Sequence, residues 1–404
     1  MLTTYRKTKA VMSNSVHSIS GPRNVLRIPP PLLVVVEDVG WWSGFNGASS
    51  GEPFRTGMNR NHVPEDYEAL VRLAGKLGTQ IVAGLVLCEW DRKGFLAEIP
   101  STTWMGKNWK GCRTGMEFQE QVVSILNENK HGVCPAVHGV GHEYWLNGKA
   151  DRTEFHNADG VMRCKNEVES HLRAFFRLYE STGLSLDSPR IFIPPALMHS
   201  YGNGEQGFQK ILAGFGIRFV ITVLEKARSF KAPLFPTVTE DCGVVLVERG
   251  TAPVSWGTVA ADPVFAFDHP VLPLHWANIL DNDPARNIDV VDRWADHLKN
   301  GAEANGFVFL PDALRSLRQI VVSQLAVIRK DNEGTTLDLC PVNQVMPNVL
   351  HKTGFYVSLP QGLTLNENDG RIEPAGHIRR DLVKILPFKG VDILRLAAST
   401  PDKA

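Results

Sequence analysis

Leu32-Leu33-Val34-Val35-Val36-Glu37-Asp38 is the stretch on which the fold turns. Its opening run is apolar, rich in β-branched side chains and free of period-2 alternation, the pattern of a strand buried on both faces of a parallel sheet. The run stops at two adjacent carboxylates, which are costly at the end of a buried strand unless a positive group receives them. The same rhythm continues outward. Pro64-Glu65-Asp66 opens a helix with Tyr67, Leu70, Val71, Ala74 and Leu77 at helical spacing, Gly78 closes it, and Ile81 to Leu87 is the next buried strand. A helix around Phe118, Val122, Ile125 and Leu126 leads to the strand-like Val133-Cys134-Pro135-Ala136-Val137. An amphipathic helix with Val168, Leu172, Phe175, Phe176 and Tyr179 on one face then leads to Arg190-Ile191-Phe192-Ile193. Further strands are expected at 218–223, 243–248, 271–274 and 307–310, with a helix around Val290, Val291, Trp294 and Leu298. Strands and helices in this alternation predict an α/β chain: a distorted (β/α) barrel of about seven parallel strands, closed or nearly closed.

The texture changes after about Arg318. Ile320 to Ile328, Thr335 to Leu339, Thr353 to Leu359 and Val391 to Leu396 read as short β-runs separated by turn signals such as Asn368-Asp369-Gly370. The expected organisation is a flexible N-terminal arm over residues 1–30, the barrel over 31–317 and a small C-terminal β-sandwich domain over 318–404. Lys+Arg and Asp+Glu balance at 43 each in 404 residues, so no global field favours nucleic acid or an anionic membrane. No apolar run is long enough to span a bilayer, and no apolar stretch of a secretory signal precedes Pro29-Pro30-Pro31; a cytoplasmic protein is expected. Six cysteines without a C-x-x-C pair read as reduced thiols.

The chemistry gathers at strand ends. In Ala136-Val137-His138-Gly139-Val140-Gly141-His142 two imidazoles stand four residues apart where a strand gives way to a glycine-rich loop. Glu37-Asp38, Pro194-Pro195 and Leu274-His275 close other strands. All strand C-termini of a parallel barrel meet on one face, so these segments are candidate neighbours. One carboxylate with two imidazoles is a three-ligand set for Zn²⁺ or another divalent transition metal, with positions left for water and a substrate oxygen.

In order and type these motifs resemble those of the polysaccharide deacetylase (NodB-homology, carbohydrate esterase) superfamily, of which the chain looks like a divergent member over residues 32 to about 280. The resemblance implies Asp38, His138 and His142 as metal ligands, Glu37 as general base, and His275 as the acid that protonates the leaving group. It further implies a distorted barrel, an N-acetyl or O-acetyl sugar as substrate, and hydrolysis of an amide C–N bond with acetate as product. Two positions depart from the pattern: Glu37 stands where the family has an aspartate, and Ile193 where it has the arginine of its third motif.

A carbohydrate or amide-containing small molecule is therefore the expected partner. Trp41, Trp42, Trp90 and Trp276 are candidate sugar-stacking residues, and Glu89, Asp91, Pro195 and His199 candidate substrate contacts. Two other readings compete. One is a glycoside hydrolase on the same barrel, pairing Glu37 or Asp38 with Glu89 or Asp91. The other is a carbohydrate-binding protein without turnover. The oligomeric state is not legible in the residues.

Overall fold

In the computed structural model the described residues are 25–230, 237–330 and 334–398. Residues 1–24 of the expected arm lie outside them. Leu26 is buried, and Arg27 exchanges backbone hydrogen bonds with Ser358.

The main sheet has eight strands. In chain order these are β1 (Leu33–Val39), β2 (Ile81–Val86), β3 (Val133–Gly139), β4 (Ile191–Phe192), β5 (Phe219–Thr222), β6 (Val238–Asp241), β7 (Val244–Glu248) and β8 (Val271–His275). Their order across the sheet is β6-β7-β5-β4-β3-β2-β1-β8, with β6 alone antiparallel to its neighbour. The seven parallel strands curl into a half-barrel, and β6 and β8 remain its two edges among the described residues. Full closure, expected from the strand count, is not reached.

Both faces of the sheet are covered, which is why β1 carries no polar alternation. Val34 and Val36 join the larger apolar cluster with helices α1 (Pro64–Leu77), α2 (Gln119–Glu128), α3 (Lys165–Ser181), α4 (Phe208–Gly214) and α5 (Asn287–Asn305). Leu33 and Val35 face the other way, against helix α6 (Ala313–Leu325) and the C-terminal strands. Helix α1 starts on Pro64 and ends at Gly78 with φ +66, a left-handed stop that suits glycine.

α6 corrects the reading of residues 320–328 as strand. Leu317, Ile320 and Val321 are fully buried at helical spacing, Asp312 caps the helix by accepting from the Arg315 N–H, and strand begins only at Val327. Burial of one face outweighed the β-propensity of Ile320-Val321-Val322. Residues 307–310 likewise form no full strand: Val308 makes a single bridge to Pro31.

The C-terminal strands are β9 (Val327–Lys330), β10 (Thr335–Asp338), β11 (Phe355–Ser358), β12 (Leu363–Leu365), β13 (Gly370–Pro374), β14 (Leu382–Pro387) and β15 (Ile393–Ala398). They form two antiparallel sheets, β9-β10-β15-β12 and β11-β14-β13, in keeping with the expected sandwich. Leu337, Phe355, Ile385 and Leu394 of these sheets share one apolar cluster with Leu33, Val35 and Ile191 of the main sheet. No helix among the described residues is long and apolar enough to cross a membrane, and all six cysteines are unbridged.

Candidate active site

Two irregularities of register build the site. Between β1 and β2 the pairing moves from Val36↔Ala83 to Val39↔Leu85, so β1 carries one extra residue across Glu37-Asp38. Between β2 and β3 it moves from Leu85↔Val137 to Val86↔Gly139, so His138 is the extra residue of β3. Such bulges re-aim side chains at a strand end. The cost is visible in the backbone, with Asp38 at φ +65 and His142 at φ +64, in the left-handed region that non-glycine residues rarely adopt.

Asp38, His138 and His142 converge. One ligand atom from each lies within 4.8 Å of the others, and all three residues are buried. Asp38 Oδ1 is 3.6 Å from His138 Nε2 and 4.0 Å from His142 Nε2. His138 Nδ1 is 2.9 Å from the Ile193 carbonyl oxygen, which can only accept; the proton therefore sits on Nδ1 and the Nε2 lone pair faces Asp38. Burial pushes the Asp38 carboxyl upward. The hydrogen bond from His138 and the charges of His142, His138 and His275 outweigh it and hold the group well below the usual carboxylate range. An ionised carboxylate and two imidazoles with outward Nε2 atoms form a donor set that fits a divalent transition metal.

The remaining groups surround this triad. Glu37 lies opposite His275 in the β1–β8 register, and its Oε2 is 3.7 Å from His275 Nε2. Its other oxygen, Oε1, is ion-paired with Arg249, which follows β7 and is almost fully buried. Burial pushes the Arg249 guanidinium down to about 9, which leaves it charged at neutral pH. Burial likewise pushes His275 down to about 4, against the pull of Asp38 and with the push of Arg249, His138 and His142, so the ring is neutral at pH 7. These residues line a cavity of about 310 Å³ whose wall also holds Trp41, Phe54, Arg55, Glu143, Arg152 and Trp256.

Glu154 holds the histidine loop. Its Oε1 accepts from the Val140 N–H and faces His171 Nδ1 of α3 at 2.9 Å, while its Oε2 accepts from the N–H groups of Gly141 and His142. Gly139, at φ +124, leaves room for that carboxylate, since a Cβ there would collide with Oε2.

The sequence candidates divide between the cavity and its supports. Glu37, Asp38, Trp41, His142 and His275 line the cavity, and His138 stands beside them as the third member of the triad. Trp42, Trp90 and Trp276 lie in the core: Trp42 packs on Tyr67 and Trp90, and Trp276 stacks on His62 at 4.0 Å. Glu89 accepts from the N–H groups of Trp42 and Ser43 and from Arg55 Nε; Asp91 accepts from Lys93, Gly94 and Leu96 N–H and from Trp109 Nε1. Both carboxylates are spent on loop structure. Pro195 is buried, and the following Ala196 and Leu197 reach the cavity instead. Sequence reasoning passed over Arg249, Glu154, Phe54 and Trp256. Arg249 had a signal: Glu248-Arg249 ends the apolar run 244–247 just as Glu37-Asp38 ends β1.

His199 is buried, and its Nε2 accepts from Gln209 Nε2 at 2.7 Å. Its ring is 5.5 Å from that of His156, which is also buried. Burial, with a smaller push from Arg163, lowers His156 to about 3; burial, with a smaller push from His156, holds His199 well below its ordinary 6.5. Both rings are neutral when folded and protonate near 6.5 when unfolded. The unfolded chain thus binds more protons below that pH, and stability falls as pH drops from 6.5 toward 3. Urea unfolding should show a loss of about 2 kcal/mol per ring between pH 7 and pH 5. A variant with both residues changed to Gln should lose correspondingly less; an unchanged pH dependence would contradict the assignment.

No protein-family model matches the sequence, nor does any curated protein. Among solved structures the chain is similar in fold to Agd3, a novel carbohydrate deacetylase, at 10% identity and a TM-score of 0.50 over 92% of this chain. The match spans 65% of the Agd3 chain, so that protein is substantially longer than the region shared. A family 4 carbohydrate esterase from Streptomyces lividans, solved in complex with acetate, matches at 11% identity and a TM-score of 0.30, covering 67% of this chain and 89% of its own. A GH57-type branching enzyme from the hyperthermophilic archaeon Pyrococcus horikoshii matches at 14% and 0.36, covering 68% and 59%.

Proposed function

We propose that the chain is a metal-dependent deacetylase that removes an acetyl or related acyl group from an amino sugar or polysaccharide. The convergence of Asp38, His138 and His142 beside Glu37 and His275 carries this reading. Residues 31–317 would form the catalytic unit and 318–404 the β-rich accessory unit. Zn²⁺ or a similar ion held by the triad would supply a Lewis acid for the acyl oxygen and a more acidic water.

The chain's own residues do the rest. Glu37, held by Arg249, accepts a proton as water adds to the acyl carbon. His275 starts neutral, 3.7 Å from Glu37 Oε2, and so is suited to receive that proton and pass it to the leaving nitrogen. The commitment of Glu89 and Asp91 to loop hydrogen bonds weighs against the glycosidase alternative, which needs one of them free at the cavity. The direct test is acetate release from an N-acetylated glucosamine oligomer by protein loaded with Zn²⁺. No release from any N- or O-acetyl sugar across a panel would defeat the proposal.

Substrate contact is assigned to half-buried aromatics at the cavity wall. Phe54 and Trp256 meet edge to face at 6.2 Å, and the Arg152 guanidinium lies 3.6 Å from the Phe54 ring centre. If a sugar face covers about 50 Å² of indole at about 25 cal/mol/Å², the contact is worth about 1.2 kcal/mol. Trp256→Ala should accordingly raise KM up to about tenfold with a much smaller change in kcat, as initial rates over a substrate series would show.

A further inference from the structure

We infer that Glu143, clamped by Arg152, is a positioning residue that sets the tautomer of His142 and so its fitness as a metal ligand. The inference rests on the metal-site reading above but concerns a residue outside the triad.

The two imidazoles of the triad are held differently. His138 gives its Nδ1–H to a backbone carbonyl at 2.9 Å. His142 has no carbonyl there; its Nδ1 is 3.5 Å from Glu143 Oε1. A carboxylate can only accept, so it selects the tautomer with the proton on Nδ1 and the Nε2 lone pair facing Asp38. A metal-bound histidine commonly gives its other ring proton to such a group, which orients the ring and raises its basicity.

Glu143 is itself fixed by a device in the fold. It is almost fully buried, and such a carboxylate needs a cation. The hairpin of Tyr144–Leu146 and Lys149–Asp151 pairs Tyr144 with Asp151, and this register sets Arg152 beside Glu143 at the hairpin base. Arg152 Nη1 donates to the same Oε1 at 2.9 Å, and its guanidinium rests on Phe54. Arg152 thus stops Glu143 from swinging away from His142, and the other carboxylate oxygen, Oε2, has no hydrogen-bond partner that would draw it elsewhere. Nothing in the loop geometry otherwise requires a buried charge at 143, since Glu154 already satisfies the N–H groups of residues 140–142.

The test uses the full chain and two readouts. In metal-free protein with ¹⁵N-labelled histidine at pH 8, long-range ¹H–¹⁵N correlation should find His142 in the Nδ1–H form. Glu143→Gln, whose amide oxygen still accepts, should keep most of that population; Glu143→Ala should lose the preference. In Zn²⁺ titration Glu143→Ala should bind about 10- to 100-fold more weakly, with Glu143→Gln between it and the unmodified protein. Circular dichroism and thermal unfolding identify any variant that fails to fold, and Glu143→Gln, nearly isosteric, carries the tautomer test if Glu143→Ala does not fold. A Glu143→Ala protein with the original tautomer and Zn²⁺ affinity within twofold overturns the inference. If Asp38→Ala also binds Zn²⁺ unchanged, it is the metal reading that fails, a result separable from failure of Glu143 alone.

Discussion

His138→Ala is expected to yield a folded protein that no longer retains a divalent ion and deacetylates roughly a thousandfold more slowly. The side chain contributes one of three ligand atoms within 4.8 Å of one another, and its Nδ1–H bond to the Ile193 carbonyl fixes the ring before any ion arrives. Removing it leaves one carboxylate and one imidazole, too few for a stable site. A loss of about 4 kcal/mol of transition-state stabilisation, within the several kcal/mol a Lewis acid supplies, corresponds to about three powers of ten in rate. Metal content per chain by mass spectrometry and acetate release measure the two effects separately. Chelation of the unmodified protein should lower activity similarly, and Zn²⁺ should restore it there but not in the variant. One ion per chain and full turnover in His138→Ala would remove the triad from the mechanism.

How far the sequence could carry this site is clear from its parts. Asp38, His138 and His142 were legible because metal-ligating residue types at strand ends leave a local pattern, and because a parallel sheet brings all such ends to one face. The bulges that turn Asp38 and His138 inward were not, since an extra residue in a strand shows only against its partner. Trp42, Trp90 and Trp276 were read as sugar contacts from their loop positions. Their burial depends on how the loops fold back: Trp90 donates from Nε1 to the Gly40 carbonyl, a contact between residues 50 apart in sequence. Phe54 and Trp256 reach the cavity from loops without periodicity, so no pattern singled them out. In the fold, β1 was read from composition alone, whereas α6 was misjudged because β-branched residues can serve a buried helix when one face is packed.

Arg249→Met is expected to cost about 3–5 kcal/mol of stability and to slow turnover by roughly 10²- to 10⁴-fold. The guanidinium is ion-paired with Glu37 in a nearly dry site, and methionine fills much of its volume without its charge. Glu37 would then be a buried carboxylate with only His275, neutral at pH 7, at hand. Its proton affinity would rise through desolvation, and its position would no longer be fixed. Glu37→Gln alone strands the arginine instead and removes the base. The double variant Glu37→Gln, Arg249→Met leaves neither charge unpaired, so it should recover most of the stability lost by either single change while staying inactive. Urea unfolding of the four proteins gives the coupling, which should approach 3 kcal/mol, the upper range for residues in direct contact. Ile193 cannot take over the task, because it is fully buried on the other face of the sheet among apolar side chains, and an arginine there would be overpacked and unpaired. Additive stability losses across the cycle would mean that Arg249 supports the fold independently of Glu37. Strong coupling with loss of turnover would mean that the base is held by a cation from β7, at the end of a strand different from the one carrying the corresponding arginine in the proteins this chain resembles.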